Sequence, residues 1–352
     1  MNSRSNFFDL YLLIPAVILS ILSLVILRSI APGQFLLQAI FLGVSVIAYI
    51  FVSLTDYKIF FALYLPIYII SIIFLLTPFV FGIHSRGALR WLQFGIVSIQ
   101  PSELIKPFLL IAFTVAATRL KLPYLLGLFI LPALIIFFQP DLGTSLVIFV
   151  GWLTIFLTKL SRRWITTVVL LSLLLMPSGW FLLKDYQKDR ILSFVSPYSD
   201  PLGKGYHVIQ STIAVGSGQF FGRGLGHGTQ SQLKFLPEHY TDFIFASLTE
   251  ELGFVGGFSV IILYAIILVR IYQLSRNTPD PAAALFCLSN LALLTFQIFI
   301  NMGMNMGLTP ITGITLPFLS YGGSSLLSLA INFGILTSIS RETKTSSSLQ
   351  IR

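Results

Sequence analysis

Residues 235–253 read FLPEHYTDFIFASLTEELG and hold four carboxylates, Glu238, Asp242, Glu250 and Glu251. Only 10% of the chain is charged, and the apolar run from Leu252 to Val269 follows at once. A carboxylate with water on one side and membrane on the other can act as a general base toward a lipid-linked substrate. The competing reading is local. Asp242 follows Thr241, a good N-cap, and an aspartate in a helix's first turn is stabilised by the free amides there. Glu250 and Glu251 sit one to two turns deeper, where capping no longer accounts for them.

QPSELIKP at 100–107 offers a second candidate. Glu103 and Lys106 stand three apart, on one face of a helix at the start of an apolar span. Either charge near the bilayer centre costs ~2.5–3.5 kcal/mol, so such residues pair with each other or face a polar cavity. The glycine-rich GSGQFFGRGLGHG at 216–228 carries Arg223. Amides in such a loop can cradle phosphate, or the loop is simply flexible. It matches no Walker motif, and no buried strand leads into it. The histidines, His84, His207, His227 and His239, lack the spacing of a zinc site. Carboxylate oxygens suit a magnesium-like ion instead.

The elements that must position these residues are membrane spans. The chain has 352 residues, 55% hydrophobic and 14% aromatic, with a mean hydropathy of +0.89. That composition excludes an ordinary soluble domain and predicts an all-α polytopic membrane protein. Ten spans are expected, near 10–27, 35–54, 59–83, 104–118, 122–138, 142–158, 164–183, 243–269, 282–308 and 314–340. The first apolar run is too long for a signal h-region, and no small-residue cleavage site follows it, so it is expected to remain as an anchor. Residues 1–340 read as one domain with a long extracytoplasmic loop at 183–241, and 341–352 as a polar, disordered cytoplasmic tail. Segments 82–103 and 308–325 fall on the same face as the loop.

Placing the N-terminus inside puts twelve Lys and Arg in cytoplasmic segments, against Arg28, Arg86 and Arg90 in the short outer loops. The positive-inside rule then sets both termini in the cytoplasm. The formal net charge of +9 therefore reports topology and anionic lipid rather than nucleic acid. Cys287, the one cysteine, falls within a span, which excludes an intramolecular disulfide and a cysteine metal site.

Taken together, RGALRW (86–91), QPSELIKP (100–107), QPDLGTSL (139–146), YHVIQSTIAVGSG (206–218), GTQSQLKFLPE (228–238), TDFIFA (241–246), EELGFVG (250–256) and LPFLSYGGSS (316–325) resemble the SEDS family of bacterial cell-wall polymerases over nearly the full length. QPDLGTS and the run around IQSTIAVGSG are closer to its RodA elongation branch than to the FtsW division branch. The resemblance implies a peptidoglycan glycosyltransferase in the cytoplasmic membrane, with its site on the outer face. Its substrates would be lipid II and a nascent glycan, and undecaprenyl pyrophosphate would be released. It implies Asp242 as the catalytic residue. Arg90, Trp91, Glu103, Lys106, Gln210, Arg223, Glu238, Ser320 and Tyr321 are the candidate substrate-binding residues. A divalent cation, magnesium or manganese, is implied, with Asp242 and Glu103 as candidate ligands and no organic cofactor. The implied partners are a class B penicillin-binding protein and other membrane proteins of the elongation complex. One position departs from the family: Tyr240 stands where its members carry a histidine before the TDF threonine. Two rival functions remain at this point, a lipid II flippase and a scaffold that only recruits a transpeptidase. A flippase would show paired ionisable groups at midplane in broken helices, whereas the polar segments here gather toward one face.

Overall fold

In hydrocarbon every backbone N–H and C=O must be satisfied within its own segment, so apolar stretches of spanning length become helices. A computed structural model describes residues 8–349, apart from 86, 87, 96 and 184. Its helices are α1 (Leu10–Ile30), α2 (Pro32–Leu54), α3 (Tyr57–Ala62), α4 (Tyr64–Phe81), α5 (Pro101–Leu104), α6 (Lys106–Arg119), α7 (Leu122–Phe138), α8 (Leu142–Thr158), α9 (Arg162–Gly179), α10 (Asp185–Val195), α11 (Tyr206–Ser217), α12 (Thr229–Gln232), α13 (Ile244–Asn277), α14 (Pro281–Asn305) and α15 (Gly323–Leu349). Six of them, α1, α2, α4, α13, α14 and α15, are long and apolar enough to cross a membrane, and α7 and α8 are shorter apolar helices. The protein is an all-α, multi-pass membrane protein, and each of the ten apolar stretches read from the sequence contains a helix. α15 is the most enclosed of the six long helices.

The differences from the sequence reading have local causes. The stretch 59–83 breaks at Leu63 into α3 and α4, because Pro66 has no N–H and its ring opposes the carbonyl of Ala62. Segment 82–103 is not simple loop. Strands β1 (Ile83–Ser85), β2 (Ala88–Phe94) and β3 (Val97–Ile99) form a small antiparallel sheet in the order β1-β2-β3. The loop 183–241 is not irregular throughout but carries α10, α11 and α12, with a short 3-10 turn at Pro197–Ser199. α13 runs past the expected end at 269 and is interrupted at Gly253, at φ 68° and ψ −164°. The last span starts only at Gly323. Pro317 and a turn in which Ser320 Oγ accepts the Leu316 amide (2.8 Å) hold the chain irregular before it. The segment from 341, expected to be disordered, continues α15 as far as Leu349, and Arg341 Nη1 donates to the Ser53 carbonyl at 3.0 Å.

Both ends of the described chain meet at one end of the bundle. Asp9 caps α1 through the Tyr11 amide and accepts from Arg270 near the end of α13 (2.6 Å) and Ser340 of α15 (2.5 Å). Burial raises the Asp9 carboxyl, but the hydrogen bonds from Arg270 and Ser340 and the Arg270 charge outweigh it and hold the group below its ordinary range. Asp280 caps α14 and accepts from Tyr57 at the same end. The polar residues read as functional lie at the opposite end.

Candidate active site

A cavity of about 830 Å³ opens at that opposite end, lined from β2 and β3, the start of α5, the turn before α8, and segments 238–242 and 312–325. It brings Arg90, Trp91, Glu103, Glu238, Asp242 and Tyr321 to one space. β2 supplies Arg90 and Trp91. Pro101 at the first position of α5 fixes a helix start, which sets Glu103 in the first turn. The break at Ile105, followed by Pro107, starts α6 with Lys106.

Lys106 Nζ lies 2.7 Å from Glu103 Oε2, and the pair is almost fully enclosed. The expected i,i+3 pair is therefore formed, and one of its members also lines the cavity. Removing either partner leaves an uncompensated buried charge, at a cost of ~3–5 kcal/mol. Glu103 Oε1 accepts from Thr144 of α8 at 3.2 Å. Arg90 is fixed by a residue that the sequence reading did not single out: its Nη1 donates to Asp141 Oδ1 at 3.2 Å. Asp141 also accepts from Gln100 (2.6 Å), Ser102 (2.9 Å) and the Thr144 amide (3.3 Å), capping α8. Arg90 Nε and Thr312 Oγ1 are buried without a protein partner, and both residues line the cavity. Two orphaned polar atoms on one wall are what a polar ligand satisfies.

Asp242 does not sit in a helix's first turn, as the sequence suggested. α13 begins at Ile244 with Phe243 as its cap residue and no side-chain cap. Thr241 turns away from capping and donates to Glu238 Oε2 at 2.9 Å. The turn is tied down from three sides. Ser320 Oγ donates to the Thr241 carbonyl (2.7 Å), the Tyr321 amide to the Tyr240 carbonyl (3.0 Å), and Asn301 and Asn305 of α14 to the Asp242 carbonyl (3.1 Å each). Ser320 therefore supports the turn and is not among the lining residues.

The glycine-rich loop does something else. Glu250 and Glu251 are fully enclosed. Glu250 accepts the amides of Gln230 (2.7 Å) and Ser231 (3.0 Å) and the Ser231 hydroxyl (2.7 Å). Glu251 Oε1 accepts from Ser29, the Gly226 amide and Gln232. The Arg223 and Gly224 amides bond the Glu250 and Glu251 carbonyls. A Cβ on Gly222, at φ +83°, would lie 2.1 Å from the Glu251 carbonyl oxygen. The glycines thus let the loop press against the break in α13. Arg223 donates its Nε to the Ser217 carbonyl at 3.3 Å. Neither Arg223 nor Gln210 lines the cavity. A Cβ on Gly257 or Gly303 would likewise meet Thr249 or Thr309 of this same chain.

The donor chemistry of the cavity fits a hard cation: Asp242, Glu103, Asp141 and Glu238 all offer carboxylate oxygens. Glu103 and Asp141 are already engaged by cations and hydroxyls. No group of three or more metal-binding side chains converges among the described residues. His207 stacks on Phe243; burial pushes its imidazole below its ordinary value, against the opposing charge of Glu238. It is neutral at pH 7 and supplies no fixed positive charge.

The residues missed by sequence reasoning are Asp141, Gln100, Arg190, Asn301 and Asn305. Arg190 of α10 lines the cavity and donates to the Thr312 carbonyl at 3.3 Å. Asp141 had a local signal, an acid directly before an apolar span. Asn301 and Asn305 had a subtler one, two amides four apart near the end of a mostly apolar helix.

Fold and site define a polytopic helical membrane protein with a charged cavity at one end of its bundle. Residues 4–345 match the FtsW/RodA/SpoVE family, described as cell cycle proteins. The chain is 44% identical over 282 residues to the peptidoglycan glycosyltransferase MrdB of Escherichia coli K12, covering 78% of this chain and 76% of that protein. It is 38% identical over 319 residues to the stage V sporulation protein E of Bacillus subtilis, covering 86% of each. Among solved structures it is similar to a chain of a peptidoglycan synthase complex that coordinates polymerization and crosslinking. The TM-score is 0.81 and the identity 32%, with 96% of this chain and 98% of that chain covered. The rod shape determining protein RodA of Thermus thermophilus gives a TM-score of 0.69 at 26% identity, with 95% and 97% covered. The chain belongs to the FtsW/RodA/SpoVE family.

Proposed function

We propose that this chain is a peptidoglycan glycosyltransferase of the elongation type, which joins the disaccharide-pentapeptide of lipid II to a growing glycan. The observation that carries the reading is the shared cavity: Asp242, Arg90 and Glu103 line one space of about 830 Å³, within the ~300–1,000 Å³ of small-molecule sites. The relatives whose names describe this activity support it.

In the reaction, a sugar hydroxyl of the acceptor attacks the anomeric carbon of the donor. The bond from that carbon to the diphosphate oxygen breaks, and undecaprenyl pyrophosphate leaves with the bonding electrons. Asp242 takes the hydroxyl proton. Charge grows on the departing diphosphate, and fixed cations stabilise it there. Arg90 and Arg190 both line the cavity, and Arg90 keeps one buried donor, Nε, without a protein partner. Glu103 holds the buried Lys106 charge just behind the cavity wall. A magnesium- or manganese-class ion held by Asp242, with Glu103 as the second candidate, would neutralise diphosphate charge when bound. Trp91, Tyr240 and Tyr321 provide aromatic faces for the sugars. Holding both substrates in the bilayer contributes proximity.

In this reading the cavity faces the outside of the cytoplasmic membrane and both termini lie in the cytoplasm, in line with the charge bias of the short loops. The partner is a class B penicillin-binding protein, consistent with the similarity to a complex that polymerises and crosslinks. The test is polymerisation of labelled lipid II by the purified chain in vesicles. Glycan formation that Asp242→Ala abolishes supports the proposal. Vectorial lipid II movement without polymer would make the chain a flippase, and no activity until a separate polymerase is added would make it a scaffold.

A further inference from the structure

We propose that Asn301 and Asn305 of α14 are positioning residues that hold Asp242 out of helix α13 and set its carboxylate at the cavity. This rests on the reading of Asp242 as the base. In an uninterrupted α-helix the carbonyl of residue 242 would take the amide of residue 246. Here the Ala246 amide donates to Asn305 Oδ1 at 2.9 Å, and Asn305 Nδ2 donates to the Asp242 carbonyl at 3.1 Å. The carboxamide is spliced into the hydrogen bond that would otherwise wind Asp242 into the helix. One residue later the pattern is ordinary, with the Ser247 amide on the Phe243 carbonyl at 3.1 Å. α13 accordingly begins at Ile244.

Asn301 completes the arrangement. Its Nδ2 donates to the same Asp242 carbonyl at 3.1 Å and to the Ile314 carbonyl at 2.7 Å. The two amides occupy both lone pairs of the Asp242 oxygen, so the peptide plane at 242 is fixed in two directions. The bond to Ile314 anchors the segment that carries Gly313, where an added Cβ would lie 3.6 Å from Asp242 Oδ2. Both asparagines are fully enclosed. Buried amides in a membrane helix are costly unless satisfied, and these spend their donors on the turn that carries the acid. Asn290 of the same helix makes the contrast. It bonds the Phe286 carbonyl and Asn332 of α15, which ties helix to helix without touching the cavity.

The experiment compares kcat, KM and melting midpoint for the full chain reconstituted in vesicles with lipid II. The parent must first polymerise and lose that activity on Asp242→Ala; failure at that step removes the functional reading and not this one. Asn305→Asp keeps the size of the side chain and the acceptor for Ala246, but sets an oxygen against the Asp242 carbonyl. Displacing the acid by a fraction of an ångström lowers kcat about 30-fold, with KM within about twofold, since a 1 Å misplacement is worth ~10²-fold. Asn290→Leu moves the melting midpoint and leaves kcat within about twofold, as a helix tie away from the reacting atoms should. Parent-like kcat in Asn305→Asp overturns the proposal, as does a rise in KM alone. Should that variant fail to fold, Asn301→Ser removes one of the two donors and gives the milder form of the test. A drop of about fivefold in kcat at constant KM supports the proposal, and an unchanged kcat overturns it.

Discussion

Two groups of carboxylates eight residues apart on one stretch of chain have opposite surroundings. Asp242 lies in a turn that opens on a cavity of about 830 Å³, among Arg90, Glu103 and two orphaned polar atoms. Glu250 and Glu251 lie inside α13, fully enclosed, with backbone amides of the 226–231 segment donating to them. The residue types are alike, and the difference lies in what the backbone gives each acid. Enclosed and held by hydrogen bonds from the neighbouring loop, Glu250 and Glu251 are structural. Asp242 instead faces a cavity shared with Arg90 and Glu103, which is the setting the proposed base requires. The comparison also assigns the glycines, which serve the enclosed pair by letting a loop reach the break in α13.

The comparison breaks first if Asp242 can be dispensed with. Asp242→Ala should reduce polymerisation by ~10²–10⁴-fold, the range a general base contributes, while the protein elutes and melts like the parent. Equal polymer yield per folded molecule would place the chemistry elsewhere. Next in size is Gly222→Ala. The positive φ and the 2.1 Å approach of its Cβ to the Glu251 carbonyl should cost about 3 kcal/mol through strain and displaced backbone, seen as a large loss of folded protein. Whatever folds should polymerise at the parent's rate, because this loop does not line the cavity.

His207 gives a pH form of the comparison. Its imidazole is held below the ordinary value by burial, so below about pH 6.5 the unfolded chain binds more protons than the folded one. Its effect is thus absent above that pH, and stability falls as the pH drops through the window beneath it. His207→Phe should flatten that part of the melting profile. An unchanged profile would show that the ring is solvated.

Much of this was legible in the sequence, because the two strongest signals are local. Apolar stretches become helices, and Glu103 with Lys106 forms the pair that their spacing allows. Asp242 was marked by type and by its place at a membrane boundary, but its setting was not, since Asn305 reaches it across 63 residues. The same distance problem hid Asp141, whose partner Arg90 is 51 residues away. The sheet over 83–99 was masked by its polar, Gly-containing composition, which reads equally well as loop. The glycine loop invited a phosphate reading because positive φ is common to anion cradles and to close backbone packing. Only the neighbour, here the α13 break at Gly253, separates the two.

The finest discrimination lies within the enclosed pair itself. Glu250 uses both carboxylate oxygens: Oε1 takes the Gln230 amide, and Oε2 takes the Ser231 amide and hydroxyl. Glu251 concentrates its three bonds on Oε1, while Oε2 is buried without a partner. In Glu250→Gln the new NH₂ must face a backbone N–H whichever way the amide is turned. One buried donor then loses its acceptor, at about 1–3 kcal/mol. In Glu251→Gln the carbonyl oxygen can keep all three donors and the NH₂ takes the unpartnered position. The change should stay within about 1 kcal/mol, near the net worth of a single hydrogen bond. Melting midpoints of the two variants, measured side by side in one detergent, read the difference directly. Equal losses would mean that the two acids share their surroundings, and that charge at this depth, not the direction of the amides, stabilises the break in α13.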